Sequence, residues 1–229
     1  MQKHFKNPLA GRPRTVETKG RDGKPQFRIV ARELTPFRAR MADGISTVLT
    51  VVLLIGCILA FFNVAKAGLS EAVMLAGVFL VGERVLRATL RAALRGKTEI
   101  VMTTDTIKVR GWFVWRSYNR LLEHRFALHV HDHAEEENRD LDYAARQASS
   151  KGHVIRQTPY YMASFHVVLV YAGQRADLLT VYGQKEAAAI VARLQYCDRL
   201  LNEAIAMSGG ISKRPEDDWT AAPGGIDRG

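Results

Sequence analysis

The sequence predicts an α+β membrane protein in which an N-terminal transmembrane helical hairpin leads into a small β domain capped by a C-terminal helix. Three observations predict it. Two apolar runs, separated by a short break, fill Ile45 to Gly82. From Thr98 onward the apolar period falls from 3.6 to two, the change from helix to half-buried strand. The chain then closes on a long amphipathic run, KEAAAIVARLQYCDRLLNEAIAM, ending at Met207.

The first apolar run, Ile45 to Asn63, has the length of about 20 residues that a helix needs to cross the hydrocarbon core. Val48, Leu49, Val51, Val52, Leu53, Leu54 and Ile55 leave it no polar face. A soluble surface helix would have one. The second run, Ala72 to Gly82, is shorter and bracketed by Glu71 and Glu83. It reaches spanning length with Arg84 and Arg87 snorkelling at the near interface. Glu83 and Arg87 stand four apart and are placed to pair.

Charge sets the orientation. Residues 1–43 carry eleven Lys or Arg against four Asp or Glu, and 84–97 carry five basic residues and no acidic one. The break between the runs has only Lys66. Basic flanks stay on the cytoplasmic side, so both ends of the hairpin are expected there and the turn outside. The whole chain, 229 residues long, has a formal charge of +10. Its two cysteines, Cys57 and Cys197, fall in a span and in the last helix and make no disulfide framework.

This organisation gives four expected segments. Residues 1–43 read as a flexible basic cytoplasmic arm, rich in Gly and Pro. Residues 44–97 read as the hairpin with its basic juxtamembrane helix. Residues 98–207 read as a cytoplasmic β domain with a helical insertion near 132–159. Residues 208–229 read as a disordered tail by composition. Within the β domain, Ile107 and Val109 alternate with Thr106, Lys108 and Arg110. Phe126, Leu128 and Val130 alternate with Arg125, Ala127, His129 and His131. YYMASFHVVLVY and ADLLTVYG read as a hairpin turning at Ala172 to Arg175. Ile190, Leu194, Cys197, Leu201 and Ile205 form one stripe, which packs the last helix on the sheet.

The runs TEIVMTTDTIKVRGWFVWR and LLTVYGQKEAAAIVARL, placed behind a membrane hairpin, resemble the bacterial two-span membrane proteins that carry a pleckstrin-homology-like domain. The resemblance covers roughly residues 45–207. It implies a bent, partly open sheet capped by the final helix, a multi-pass protein of the bacterial inner membrane with both termini cytoplasmic, and a binding or scaffolding role. It carries over no catalytic residue.

The candidate binding residues are basic and aromatic. Arg84, Arg87, Arg91 and Arg95 recur at spacings of three and four and so share one face of a helix leaving the membrane. Trp112, Phe113, Trp115 and Tyr118 follow closely. Alternation sends one pair of these aromatics to the core and leaves the other for the bilayer interface, where Trp and Tyr are favoured. We therefore expect Arg84, Arg87, Arg91, Arg95, Trp112 and Trp115 to bind lipid or a partner. The sharpest local oddity is His129-Val-His131-Asp-His133. Three imidazoles at spacing two share a strand face, and zinc takes such ligands, but the run matches no established metal spacing. No glycine-rich phosphate loop, paired-Cys motif or nucleophile context occurs.

The reading that follows is a non-enzymatic inner-membrane scaffold or adaptor without a cofactor. Its partners are membrane lipids and a protein partner or a second copy of the chain. One alternative is an accessory of a DNA-handling machine, in conjugative transfer or secretion, with nucleic acid bound by the basic arm. The other is a His-dependent metalloenzyme built on His129, His131 and His133.

Overall fold

The computed structural model describes residues 11–20, 23–63, 69–111, 114–154 and 157–207. The elements run β1 (Arg14–Lys19), β2 (Pro25–Glu33), α1 (Pro36–Asn63), α2 (Leu69–Ala93), β3 (Gly96–Met102), β4 (Thr106–Arg110), β5 (Trp115–Asn119), β6 (His124–Val130), α3 (Ala134–Ser150), β7 (Ser164–Tyr171), β8 (Gln174–Tyr182) and α4 (Gln184–Met207). The fold is α+β. One antiparallel sheet has the order β1-β2-β3-β4-β5 and a second has the order β6-β7-β8.

The segment expected to be a flexible arm is corrected here: Arg14 to Glu33 forms the first two strands of the larger sheet. The reason is a period of two inside PQFRIVARE. Phe27, Ile29 and Ala31 are buried, while Arg28 and Arg32 face out. The glycines nearby serve the turn: Gly23 has φ +71 between β1 and β2. The β domain therefore begins at β1, and the hairpin is an insertion between β2 and β3. Those two strands pair in register across it, from Phe27 with Met102 to Glu33 with Gly96.

α1 is apolar almost all round. Over Pro36–Leu59 it is long and apolar enough to cross a bilayer, and Val48, Val52 and Ile55 are exposed. Among the described helices it is the one that meets that standard. The expected second span does not meet it. α2 carries Glu71 near its start and Glu83, Arg84, Arg87 and Arg91 in its second half, which leaves too short an uncharged window. The two helices still pack antiparallel: a Cβ at Gly82 would lie 3.8 Å from Leu53.

One core joins both sheets to α4. Ile29, Ile100, Met102 and Ile107 come from the larger sheet, Val167, Leu169 and Val181 from the smaller, and Ile190, Leu194, Cys197 and Leu201 from α4. The stripe read from the sequence is thus the face that α4 buries. Fully burying such a side chain contributes about 1.5–3 kcal/mol. β7 and β8 are joined through Ala172 and Gly173, with φ of 48 and 77. Positive φ at both central residues lets a two-residue turn follow the strand twist. α3 stands between β6 and β7, within the expected insertion, with Glu135, Glu136 and Glu137 in its first turn. Acidic groups there suit the positive end of the helix dipole. The expected tail, 208–229, lies outside the described residues.

Candidate functional site: the joint between hairpin and domain

The four arginines of the basic stripe do not form an open cationic face. Arg87 Nη2 donates to Glu83 Oε1 at 2.6 Å, the pair expected from their spacing. Arg91 makes a two-pronged contact with Asp43 of α1, Nε to Oδ1 at 2.9 Å and Nη2 to Oδ2 at 2.6 Å. Its guanidinium also lies 5.3 Å from the Tyr182 ring centroid. Arg95 Nη1 reaches Glu186, in the first turn of α4, at 3.4 Å. Arg84 is exposed and has no ion-pair partner among the described residues.

Asp43 is the hub of this joint. Besides Arg91 it accepts a hydrogen bond from the Tyr160 hydroxyl at 3.0 Å. Burial, together with the Asp43 carboxylate, raises the Tyr160 phenol above its usual range and keeps it a donor. The segment around Tyr160 is held in turn by Glu137 of α3. The amides of Tyr160 and Met162 donate to its carboxylate at 2.8–3.0 Å. Arg40 of α1 lies 3.9 Å from Glu137, 5.2 Å from the Tyr160 ring and 5.4 Å from the Tyr161 ring. The base of the hairpin is thus tied to α3, to the 160–162 segment and to α4. Bidentate arginine–carboxylate contacts fix orientation as well as distance.

A histidine cluster sits behind Tyr161. Its centre is His131, with ring centroids 4.6 Å from His166, 5.6 Å from His133 and 4.8 Å from Tyr161. His129 is the direct cross-strand neighbour of His166. The His166 Nδ1 is 3.0 Å from Thr180 Oγ1, and its Nε2 is buried without a hydrogen-bond partner. Burial pushes both His131 and His166 below the ordinary imidazole range; for His131 the neighbouring imidazoles add to the shift. Among the described residues, no group of three or more His, Cys, Asp or Glu is arranged to hold a metal ion. His129, His131 and His133 therefore do not converge as zinc ligands. A shared strand face sets neighbours at a common spacing, whereas zinc needs nitrogens aimed at one point.

Elsewhere, Arg120 and Asp198 form a pair buried from solvent, Nε to Oδ1 at 2.7 Å. His124 Nε2 shares the same carboxylate oxygen at 3.2 Å, and Arg120 also donates to the Thr104 carbonyl. This network fixes α4 against the corner where β5 turns into β6.

Of the predicted aromatic patch, Trp115 is 47% and Val114 66% exposed, with the Arg110 guanidinium 5.7 Å from the Trp115 ring. The core pair expected from alternation does not include Trp115, which lies with its neighbours Arg116 and Ser117 on the exposed part of the edge strand β5. Trp112 and Phe113 lie outside the described residues. The cations assigned to a nucleic-acid-binding arm are in part strand residues: Arg28 pairs with Glu99, and Lys24 lies 3.8 Å from Asp105. Sequence reasoning missed Asp43 and Tyr160. Asp43 carried one signal, a carboxylate immediately ahead of an apolar span, where uncompensated charge is costly.

No family model matches the chain, and neither does any curated protein or solved structure.

Proposed function

We propose that the chain is a non-enzymatic membrane scaffold. Its hairpin enters and leaves the bacterial inner membrane as two spans, with both termini cytoplasmic, and its pleckstrin-homology-like domain is held in one orientation beneath the bilayer. There it serves as a docking platform for a protein partner or anionic lipid. The observation that carries this reading is the closure of the domain around the hairpin. β2 and β3 pair directly on either side of it, and Asp43 meets Arg91 at its base. A chain that enters the bilayer through α1 must then return to the side it left. The exposed apolar surface of α1 supports a lipid environment, because water does not tolerate such a surface on a stable monomer. Two antiparallel sheets closed by a terminal helix support the domain resemblance. The joint supports the scaffold role, because its charged groups hold two bodies in fixed relation.

The test is a set of topology reporters ahead of Met1, at Lys66 and after Gly229. The reading requires the outer two to report cytoplasm and Lys66 to report the outside. A cytoplasmic signal at Lys66 contradicts it. Crosslinking from native membranes then identifies what the domain holds, and recovery of the chain with no attached protein or lipid contradicts the scaffold role.

A further inference from the structure

We infer that the corner between β5 and the first turn of α1 is a binding site for the phosphate of an anionic lipid headgroup, with Arg116 as its cation. The inference rests on the reading that the hairpin lies in a bilayer, and it names a lipid site distinct from the arginine stripe of α2. A cavity of about 440 Å³ opens at this corner, lined by Arg38, Arg116, Thr98, Thr180, Glu33 and Asp177 among others. That volume is in the range of small-ligand sites, roughly 300–1,000 Å³.

Position argues for lipid. β3 starts at Gly96, directly after α2, and the register carries that end of the sheet outward through Glu99, Arg110 and Trp115. Arg110 and Trp115, the facing ends of β4 and β5, therefore lie at the end of the sheet where both helices leave. Arg38 precedes Ile45, where the apolar run begins, by seven residues. At 1.5 Å per residue this is about 10 Å along the helix. The polar layer on one side of a bilayer is roughly 5–8 Å deep, and arginine side chains extend toward it.

Charge argues for an anion. Arg116 forms no ion pair among the described residues, and its Nη1 donates to the Asp177 carbonyl at 3.4 Å. Two carboxylates share the rim: Asp177 is paired with Arg175, and Glu33 stands on the Gly96 side with Arg38, which leaves Arg116 as the cation of the corner. Glu33 accepts from the Thr98 hydroxyl at 2.9 Å, and Asp177 accepts from Arg175 Nε at 2.9 Å. Beside the cavity, exposed Val114 and Trp115 supply an apolar edge, and Arg110 covers part of the indole. An apolar ring next to guanidinium groups is the composition that settles at the headgroup level. In the stripe on α2, by contrast, Arg87, Arg91 and Arg95 are paired within the chain, which leaves Arg84 alone there.

The experiment titrates the detergent-solubilised full chain with dihexanoyl phosphatidylglycerol, dihexanoyl phosphatidylcholine and inorganic phosphate, followed by calorimetry. Saturable binding of phosphatidylglycerol is expected, with phosphatidylcholine and inorganic phosphate weaker. Arg116→Gln should weaken it about fivefold, the loss expected for one basic residue at a lipid surface. Arg125→Gln, an exposed position beside the Arg120–Asp198 corner, should leave it unchanged. Retention of the fold by Arg116→Gln is checked by circular dichroism, and Arg116→Lys, which keeps the charge, should recover most of the binding. Equal binding of the two lipids, indifference to Arg116→Gln, or inorganic phosphate binding as tightly as phosphatidylglycerol overturns the proposal. Alkaline carbonate extraction separates the two readings: a chain that washes off membranes removes the bilayer reading itself, and one that stays while failing the titration removes only this site.

Discussion

At one end of the domain Arg120 and Asp198 each keep 2% of their side-chain surface exposed; at the other, Arg91 keeps 25% and Asp43 12%. Both are arginine–carboxylate pairs between residues far apart in the chain, yet they join different things. The first lies within the domain and locks α4 to the β5–β6 corner. The second joins the hairpin to the domain and opens partly to solvent. A fully buried pair that loses one member leaves an uncompensated charge, whereas a pair that opens partly to solvent lets water take over in part. The first therefore holds a fold and the second holds an orientation. Each prediction below separates those roles.

The largest effect is expected at the buried pair. Asp198→Ala strands the Arg120 guanidinium and the His124 ring without their carboxylate, and should cost about 3–5 kcal/mol. Denaturant unfolding of the detergent-solubilised chain checks this. A loss below about 1 kcal/mol would mean that the network does not hold α4.

A smaller loss, about 1–2 kcal/mol, is expected for Asp43→Asn, because a charge-assisted contact is replaced where solvent reaches. Here the fold should survive and the joint should loosen. Amide exchange should speed up at Tyr160 and Met162, with the α4 core unchanged. Equal acceleration across the whole domain would show that the joint is part of the fold after all.

The histidine cluster should make that joint sensitive to pH. His131 and His166 have lowered pKa values in the fold, while the unfolded chain takes up protons near pH 6.5. Between the folded values and 6.5 the unfolded state binds more protons, so stability is complete above 6.5 and declines as pH falls below it. His133, His129 and Arg175 oppose protonation, while Asp132, Glu137 and Asp177 favour it. Unfolding measured from pH 7.5 to 5 should slope downward, and His131→Asn with His166→Gln should flatten the slope. A flat profile in the unsubstituted chain would remove the cluster from the account.

The smallest effect belongs to Arg84→Gln. Arg84 is exposed and unpaired among the described residues, so stability should shift by less than about 0.5 kcal/mol. A larger loss would place Arg84 in the joint.

These pairs also mark where the sequence could be read and where it could not. The apolar run of α1, the stripe of α4 and the alternation of β4 and β6 repeat within a few residues, so their burial was legible. The strands β1 and β2 were hidden because glycine and proline flank a short alternation, Phe27, Ile29 and Ala31, that is visible only once read alone. The arginine spacing on α2 was legible too, but its meaning was not. Asp43 and Glu186 stand 48 and 91 residues from their partners. Periodicity reports which face a side chain takes and is silent on what folds onto that face.

The central claim is that the domain is fixed to the base of the hairpin through Asp43. The most direct test is a spin-label distance between Ala92→Cys on α2 and Ala145→Cys on α3, both exposed positions, in membranes. Cys57→Ser removes the competing thiol, and the Cys197 thiol, pushed up to about 12 by burial, stays unlabelled at neutral pH. The account predicts one narrow distance distribution that broadens with Asp43→Asn. A broad distribution in the chain with Asp43 intact, or a narrow one that Asp43→Asn leaves untouched, would contradict it.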